Sequence, residues 1–288
     1  VQLAGISNIS GNNTVGLSAA GLVNITGDRT QGVIISGLTS IGGDNTSGLM
    51  ISGFMNVTGN MASGLHFSGA ANITGQSFGG LMASGLLNVV GEHMNGLQIA
   101  GIANITASKL NGVQIALCNY VTQARGLQIG LVNYYKEDMK GFQLGLVNAN
   151  PDTRVQMMVY GGNATPVNIG VRFKNQLFYT ILGVGSMYQG LNDKFSASAS
   201  YRAGLSFPLY KGLSISGDLG YQHIEAFDNK DEVIPKRLYA LQARANLEYQ
   251  FTRKFGIFAT GGYGLTRFYN KSSNYDKGAI IEAGIVLF

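Results

Sequence analysis

Hydrophobic and polar positions follow two different patterns along the 288-residue chain, and the change comes near residue 150. Residues 1–150 repeat a unit of about sixteen residues, G-L-x-I-S-G-L-x-N-I-T-G-x-x-x-x, in which small and aliphatic residues keep a fixed phase. Residues 151–288 contain longer segments in which apolar and polar residues alternate. These patterns predict an all-β chain with one domain at 1–150 and a second at 151–288.

Glycine and asparagine mark the repeat. The strictest glycine series, with a period of sixteen, is Gly16, Gly32, Gly48, Gly64, Gly80, Gly96 and Gly112. Beyond Gly112 the unit shortens by losing a Ser-Gly step, while the asparagine phase continues. The asparagine positions are Asn24, Asn56, Asn72, Asn88, Asn104, Asn119, Asn133 and Asn148. In a parallel β-solenoid each unit is one coil, so aliphatic residues are expected to fill the interior and the asparagines to form a hydrogen-bonded ladder.

An antiparallel arrangement is the alternative for the repeats. Each unit would then be one strand, and all repeats would join the second half in a single barrel of about eighteen strands. Successive antiparallel strands have inverted surroundings, so they have no reason to match in sequence. Residues 1–119 also contain no tyrosine and the chain no tryptophan, so the aromatic girdle of a lipid-facing strand is missing there. The pattern therefore favours a solenoid of nine or ten coils, roughly one per repeat.

The second half alternates with a period of two residues. In the segment 238–250, Tyr239 and Leu241 are apolar, whereas Gln242 and Arg244 are polar. Strands of about ten residues with apolar-out, polar-in alternation are typical of a transmembrane β-barrel. Eight strands are predicted near residues 155–162, 166–173, 176–187, 196–208, 212–222, 237–250, 254–267 and 278–288. Their connections alternate between short and long, as in bacterial outer-membrane barrels.

An eight-stranded barrel is filled by side chains, so its interior must neutralise its own charges. If the tight turn pairs Pro208 with Gly212, Arg202 lies directly opposite Asp218, and Arg244 lies at a similar depth. This register predicts an interior Arg–Asp–Arg network. The full predicted set of interior polar residues is Arg172, Arg202, Asp218, Arg244, Glu248 and Glu282.

Candidate chemistry is sparse. The histidines His66, His93 and His223 lie far apart and have no partner at metal-ligand or triad spacing, and Cys118 is the only cysteine. His66 shares a variable repeat position with methionines, which favours a tolerated coil residue. We expect no catalytic residue, cofactor or metal. The net charge of +5 comes from dispersed lysines and arginines, so nucleic acid is not an expected partner.

Two resemblances follow from these motifs. The strings GLQIGLVN at 126–133 and GFQLGLVN at 141–148 resemble surface repeats of Gram-negative outer-membrane proteins and lipoproteins. The second half, which ends on Phe288, resembles the small eight-stranded outer-membrane barrels of the OmpA-like kind. Phe288 departs from that pattern because it falls in the polar register. The resemblance implies an outer-membrane location. The start at Val1 suits a mature protein whose signal peptide has been removed, and it suits a trimmed chain equally well.

These observations predict a non-enzymatic structural or interaction protein. The barrel would contact outer-membrane lipid and anchor a rigid domain whose glycine- and asparagine-rich surface meets a protein partner in the cell envelope. An even strand number with a periplasmic C-terminus predicts a periplasmic repeat domain. A porin-like channel for small polar solutes, formed by one larger barrel, is the alternative function.

Overall fold

The chain forms two compact units, Val1–Pro151 and a second unit that starts at Asp152. The computed structural model describes residues 1–186, 188, 195–227, 237–269 and 274–287. The first unit is a parallel sheet system and the second a closed antiparallel barrel of eight strands. The predicted fold class is therefore confirmed. Within the described ranges, no helix is long and apolar enough to cross a membrane.

Each of the first coils contributes one long and one short strand. After the partial strand β1 (Gln2–Ala4), the long strands are β3 (Thr14–Ala20), β5 (Arg29–Ser36), β7 (Asn45–Ser52), β9 (Met61–Ser68), β11 (Ser77–Ser84) and β13 (His93–Ala100). The short strands are β2 (Ser7–Ser10), β4 (Val23–Thr26), β6 (Thr39–Gly42), β8 (Met55–Thr58), β10 (Ala71–Thr74) and β12 (Leu87–Val90). Two turns close each coil, one after the long strand and one after the short strand.

The last coils merge these segments. Each of three strands contains a short segment and the long segment of the next coil, and a final short strand closes the unit. These strands are β14 (Ala103–Ile115), β15 (Cys118–Ile129), β16 (Val132–Leu144) and β17 (Val147–Ala149). Register shifts at Thr106/Lys109 and Val121/Gln123 absorb part of the change in coil length. The asparagine phase is therefore preserved although the repeat shortens.

Parallel register explains why the units match. Gly48 pairs with Gly64, and Asn56 pairs with Asn72, so each residue lies beside its counterpart one coil away. Strands β1–β17 form their own sheet system and do not join the barrel sheet. The alternative of one barrel with about eighteen strands is therefore wrong.

The strict glycine series has a backbone cause. All its members adopt positive φ, for example +128° at Gly80, a region that L side chains rarely adopt. A Cβ at Gly80 would also meet the backbone carbonyl oxygen of Gly64 in the preceding coil. Two independent restrictions, one conformational and one steric, therefore require glycine at this phase.

The solenoid interior differs from expectation. Aliphatic residues fill only part of it, in a cluster of middle and late coils that includes Phe78, Met82 and Met94. The asparagines, together with Thr14, Thr30 and several serines, are buried as well. Many aliphatic residues, such as Leu38, lie outside and exposed. The prediction that aliphatics fill the interior is therefore wrong for much of this unit.

The barrel closes in chain order, from its first strand to its last. Its strands are β18 (Arg154–Gly162), β19 (Val167–Asn175), β20 (Phe178–Ser186), β21 (Ser196–Tyr210), β22 (Leu213–Ala226), β23 (Arg237–Thr252), β24 (Phe255–Phe268) and β25 (Asn274–Leu287). In β23 buried and outward residues alternate, with Gln242 and Arg244 inside and Leu241 outside. The predicted eight strands and their inside-outside parity are confirmed. Phe288 and residues 228–236 lie outside the described part of the chain.

The predicted register between β21 and β22 is wrong by two residues. Pro208 pairs with Ser214 instead of Gly212, so Arg202 lies opposite Gly220 and Asp218 opposite Gly204. The turn is closed by Tyr210 and Leu213 instead of Pro208 and Gly212, and the irregularity between Pro208 and Tyr210 then changes the register by one residue.

The glycine restriction yields a matched test. Gly80→Ala should destabilise the solenoid by more than about 1 kcal/mol, because alanine at positive φ is strained and its Cβ meets backbone. Gly79→Ala is the control, since open space surrounds Gly79 and its φ is not positive. Hydrogen–deuterium exchange of the full chain should show faster exchange around residues 60–100 in the first variant only. Equal exchange in both variants would contradict the role of Gly80.

Candidate functional site

The six predicted interior residues of the barrel are all buried. Arg172, Arg202, Asp218, Arg244, Glu248 and Glu282 have relative exposures between 1% and 7%. They come from five strands, β19, β21, β22, β23 and β25, whose polar parity points into the lumen. Burial of three cations and three anions is costly unless each has a partner in good geometry.

Arg202 and Asp218 form a two-point ion pair despite the register difference. Arg202 Nε donates to Asp218 Oδ1 at 2.8 Å, and Nη2 donates to Oδ2 at 2.7 Å. The long arginine side chain spans the diagonal between the strands. The bidentate arrangement is the strongest geometry available to an arginine and a carboxylate.

The other two arginines have their own carboxylates. Arg172 donates to Glu248 at 2.5 and 3.0 Å, and Arg244 donates to Glu282 at 3.1 and 3.3 Å. Arg202 Nη1 also lies 3.8 Å from Glu282 Oε2. The predicted Arg–Asp–Arg arrangement thus needs correction, because Arg244 donates to Glu282, and Glu282 links Arg202 with Arg244.

Neutral side chains complete the network, and the sequence argument missed them. Tyr179 Oη donates to Asp218 Oδ2 at 2.7 Å, and Asn246 Nδ2 donates to the same oxygen at 2.8 Å. Gln156 Oε1 accepts from Arg172 Nε at 3.0 Å. All three residues have the inward parity of their strands, which was the available signal. The interior residues predicted from the sequence were all charged.

This interior is suited to structural support. Three arginines face three carboxylates, so the set is formally neutral, and its hydrogen bonds cross from strand to strand around the barrel. An eight-stranded barrel has just enough interior to hold such side chains. Among the described residues, no group of three histidine, cysteine, aspartate or glutamate side chains could hold a metal ion.

Asparagines stack as a ladder inside the solenoid. From Asn56 to Asn148, each Nδ2 donates to the Oδ1 of the asparagine in the next coil, at 2.8 to 3.1 Å. The second Nδ2 hydrogen binds a carbonyl near the end of the following long strand, for example Ala83 O from Asn72 at 2.8 Å. Asn24 accepts from Asn8 at 3.0 Å. Ser40 interrupts the ladder, and hydroxyl contacts among Ser36, Ser40 and Ser52 replace it there.

The burial of the asparagines changes the nature of the repeat surface. Asn72, Asn88 and Asn104 have 0% relative exposure. The expectation that the repeat domain presents an asparagine-rich surface is therefore wrong. The asparagine side chains of the ladder bind each other, so the outer surface of the solenoid is formed by other residues.

A second ladder appears where the coils shorten. Gln98, Gln114, Gln128 and Gln143 are buried at one repeat phase, and each later glutamine donates to the one before it at 2.7 to 2.9 Å. Sequence reasoning missed this ladder. The signal was the recurrence of glutamine two residues after the positive-φ glycine.

His66 occupies the phase of this second ladder in an earlier coil. It pairs in register with Met50 and Met82, is 1% exposed, and packs edge-on against Phe78 with ring centroids 4.9 Å apart. Its Nε2 makes no hydrogen bond to the described residues. Burial lowers the pKa of His66 to about 4, because desolvation disfavours the imidazolium.

Comparison with solved structures finds similarity to outer-membrane β-barrels. No family model matches the chain, and no curated protein sequence matches it. The N-terminal β-barrel domain of OprF from Pseudomonas aeruginosa is similar, with 14% identity, a TM-score of 0.34, and coverage of 46% of this chain and 93% of that chain. Neisserial surface protein A is similar with 10% identity, a TM-score of 0.34, and coverage of 46% and 94%.

The central ion pair of the barrel can be tested by removing one partner. Arg202→Met should destabilise the barrel by about 3–5 kcal/mol, because Asp218 would remain buried without its counter-ion. Arg237→Met is the matched control, since the Arg237 side chain is 66% exposed and its pair with Glu225 should contribute less than about 1 kcal/mol. The heat-induced change in gel mobility of the folded barrel measures both. Equal midpoints for the two variants would contradict a supporting role for the pair.

His66 predicts a pH dependence of the solenoid. Its pKa is about 4 in the folded chain and 6.5 in the unfolded chain, so unfolding takes up a proton between these values. The stability present above pH 6.5 should fall by about 3 kcal/mol as the pH drops toward 4. His66→Met should remove this component, whereas His93→Met should retain it, because His93 is half exposed. Unfolding of the repeat unit followed by hydrogen exchange at pH 7 and pH 4.5 distinguishes these outcomes.

Proposed function

We propose that the chain is a non-enzymatic outer-membrane protein in which the barrel anchors a rigid repeat domain that interacts with other components of the cell envelope. One observation carries the anchor role: the barrel has paired charges inside and apolar residues outside. Leu219, Leu241 and Leu247, for example, are exposed on its outer surface. Such a surface matches lipid, and the paired interior supports the wall without leaving an open lumen.

The repeat domain supplies the interaction surface in this proposal. Its coils are connected by continuous parallel ladders, and its asparagine and glutamine side chains bind each other inside. The result is a rigid body whose outside is free for contact. We assign the function of this domain to binding, and that of the barrel to anchoring.

Topology supports a periplasmic location for the repeat domain. The barrel connections at 176–177, 211–212 and 253–254 are short, and those at 163–166, 187–195, 227–236 and 269–273 are longer. Short turns face the periplasm in bacterial barrels. Strand β18 begins at the end of the barrel that carries the short turns. We therefore place residues 1–150 in the periplasm.

Conductance tests the anchor against the channel alternative. The full chain in planar bilayers should show no stable large pore, because the interior of an eight-stranded barrel is occupied by side chains. Uniform stepwise openings would favour a porin-like channel and contradict this proposal.

The location of the repeat domain can be tested with inserted protease sites. A cleavage site placed after Asn60, at an exposed solenoid turn, should be cut only when the outer membrane has been permeabilised. The matched control is the same site placed after Phe227, which is exposed at the end of the barrel opposite the short turns and should be cut on intact cells. Cleavage after Asn60 on intact cells would place the repeat domain outside.

A further inference from the structure

Charged residues are confined to one part of every solenoid coil. All of them lie between the end of a short segment and the positive-φ glycine of the following long segment. They are Asp28, Arg29, Asp44, Glu92, Lys109, Arg125, Lys136, Glu137, Asp138 and Lys140. We call the turns at this side, which also hold Asn60 and Gln76, the polar edge. The rest of each coil carries no charged side chain.

The opposite turn carries an exposed aliphatic or aromatic residue in most coils, and the buried Ala70 interrupts this series between Phe54 and Leu86. We call this row the apolar edge. Its members are Leu22, Leu38, Phe54, Leu86, Ile102, Leu117, Leu131 and Leu146, with relative exposures from 38% to 55%. A parallel row beside it contains exposed Ile35, Ile51, Ile99 and Leu144. The solenoid thus carries its charged side chains on one side and, with an interruption at Ala70, a row of exposed hydrophobic side chains on the other, although some hydrophobic residues such as Met61 are exposed near the polar edge as well.

The backbone at the apolar edge is already hydrogen-bonded within the solenoid. Leu38 N donates to Leu22 O at 2.9 Å, and Phe54 N donates to Leu38 O at 2.9 Å, so the turns bind each other from coil to coil. The ladder asparagines satisfy further carbonyls there, as Asn88 does for Ile99 O at 2.7 Å. Hydrocarbon tolerates only backbone groups that are satisfied internally. The apolar edge meets this requirement.

The chemistry of this edge favours lipid over a folded protein. Protein interfaces usually contain about one hydrogen bond per 100–200 Å², which fixes the register of the partner. The eight side chains of the apolar edge have no hydrogen-bonding group, and apart from the gap at Ala70 they recur once per coil. Such a surface cannot select one register, whereas fluid acyl chains need none. Amphipathic helices bind membranes by the same division of apolar and polar faces.

We propose that the apolar edge of the solenoid lies against the hydrocarbon of a lipid bilayer, while the polar edge faces water. This inference rests on the proposed membrane anchor and names lipid as the partner of the repeat domain. Only residues 150–153 separate strand β17 from barrel strand β18. A short connection to a membrane-embedded barrel would hold the solenoid at high effective concentration near lipid.

Cys118 provides a native reporter for the test. It is the only cysteine, is exposed, and follows Leu117 of the apolar edge. The full chain would be labelled with a small fluorophore in phosphatidylcholine vesicles with or without bromine on the acyl chains. Two single-cysteine controls in a Cys118→Ala background are Ser63→Cys, near the polar edge, and Leu247→Cys, on the outer surface of the barrel.

The three positions separate the possible outcomes. We expect brominated lipid to quench the probes at residues 118 and 247 to a similar extent, and the probe at 63 several-fold less. Quenching at 247 without quenching at 118 would overturn the lipid contact and leave the anchor intact. Absence of quenching at 247 would overturn the anchor and this inference with it. If pyrene at residue 118 forms excimers and remains unquenched, the apolar edge pairs with a second copy, which also overturns the proposal.

Discussion

Both units depend on the pairing of their enclosed charged and amide side chains. The barrel encloses arginines and carboxylates, and the solenoid encloses asparagines, glutamines and hydroxyl groups, while leucine, isoleucine and phenylalanine are exposed on both outer surfaces. A buried polar group without a partner costs several times the net contribution of a formed hydrogen bond. The bidentate Arg202–Asp218 pair provides such partners in the barrel, and the asparagine ladder provides them in the solenoid.

The solenoid shows which features sequence spacing can predict. A parallel register places each residue beside its counterpart, so the glycine and asparagine phases predicted the fold. Spacing did not predict which phases face inward. The assumption that aliphatic residues fill the core was wrong because the ladder hydrogen bonds satisfy the buried asparagine side chains. Small Thr and Ser side chains also fit inside the coil. The glutamine ladder was also not predicted. In earlier coils the same repeat position is occupied by His66 and Met82, so glutamine does not recur there along the whole repeat.

The barrel shows a different limit. Alternation with a period of two predicted the eight strands and the inward residues, because parity depends only on sequence position. Register depends on turn geometry as well, and a turn closed by Tyr210 and Leu213, together with the irregularity at Pro208–Tyr210, placed it two residues away from the prediction. The Arg202–Asp218 contact survived the shift because a two-residue displacement preserves the face and the arginine side chain is long. The predicted partner of Arg244 was wrong. Arg244 in β23 binds Glu282 in β25, and a contact between strands that are not neighbours cannot be derived from the register of adjacent strands.

The central claim is that the amide ladders of the solenoid and the ion pairs of the barrel are enclosed and mutually bonded. Side-chain amide exchange measured by NMR on the full chain in lipid nanodiscs tests it most directly. The account predicts that the Nδ2 protons of Asn72, Asn88 and Asn104 exchange as slowly as the backbone amides of their strands. Exchange at the rate of a solvent-exposed asparagine would contradict it.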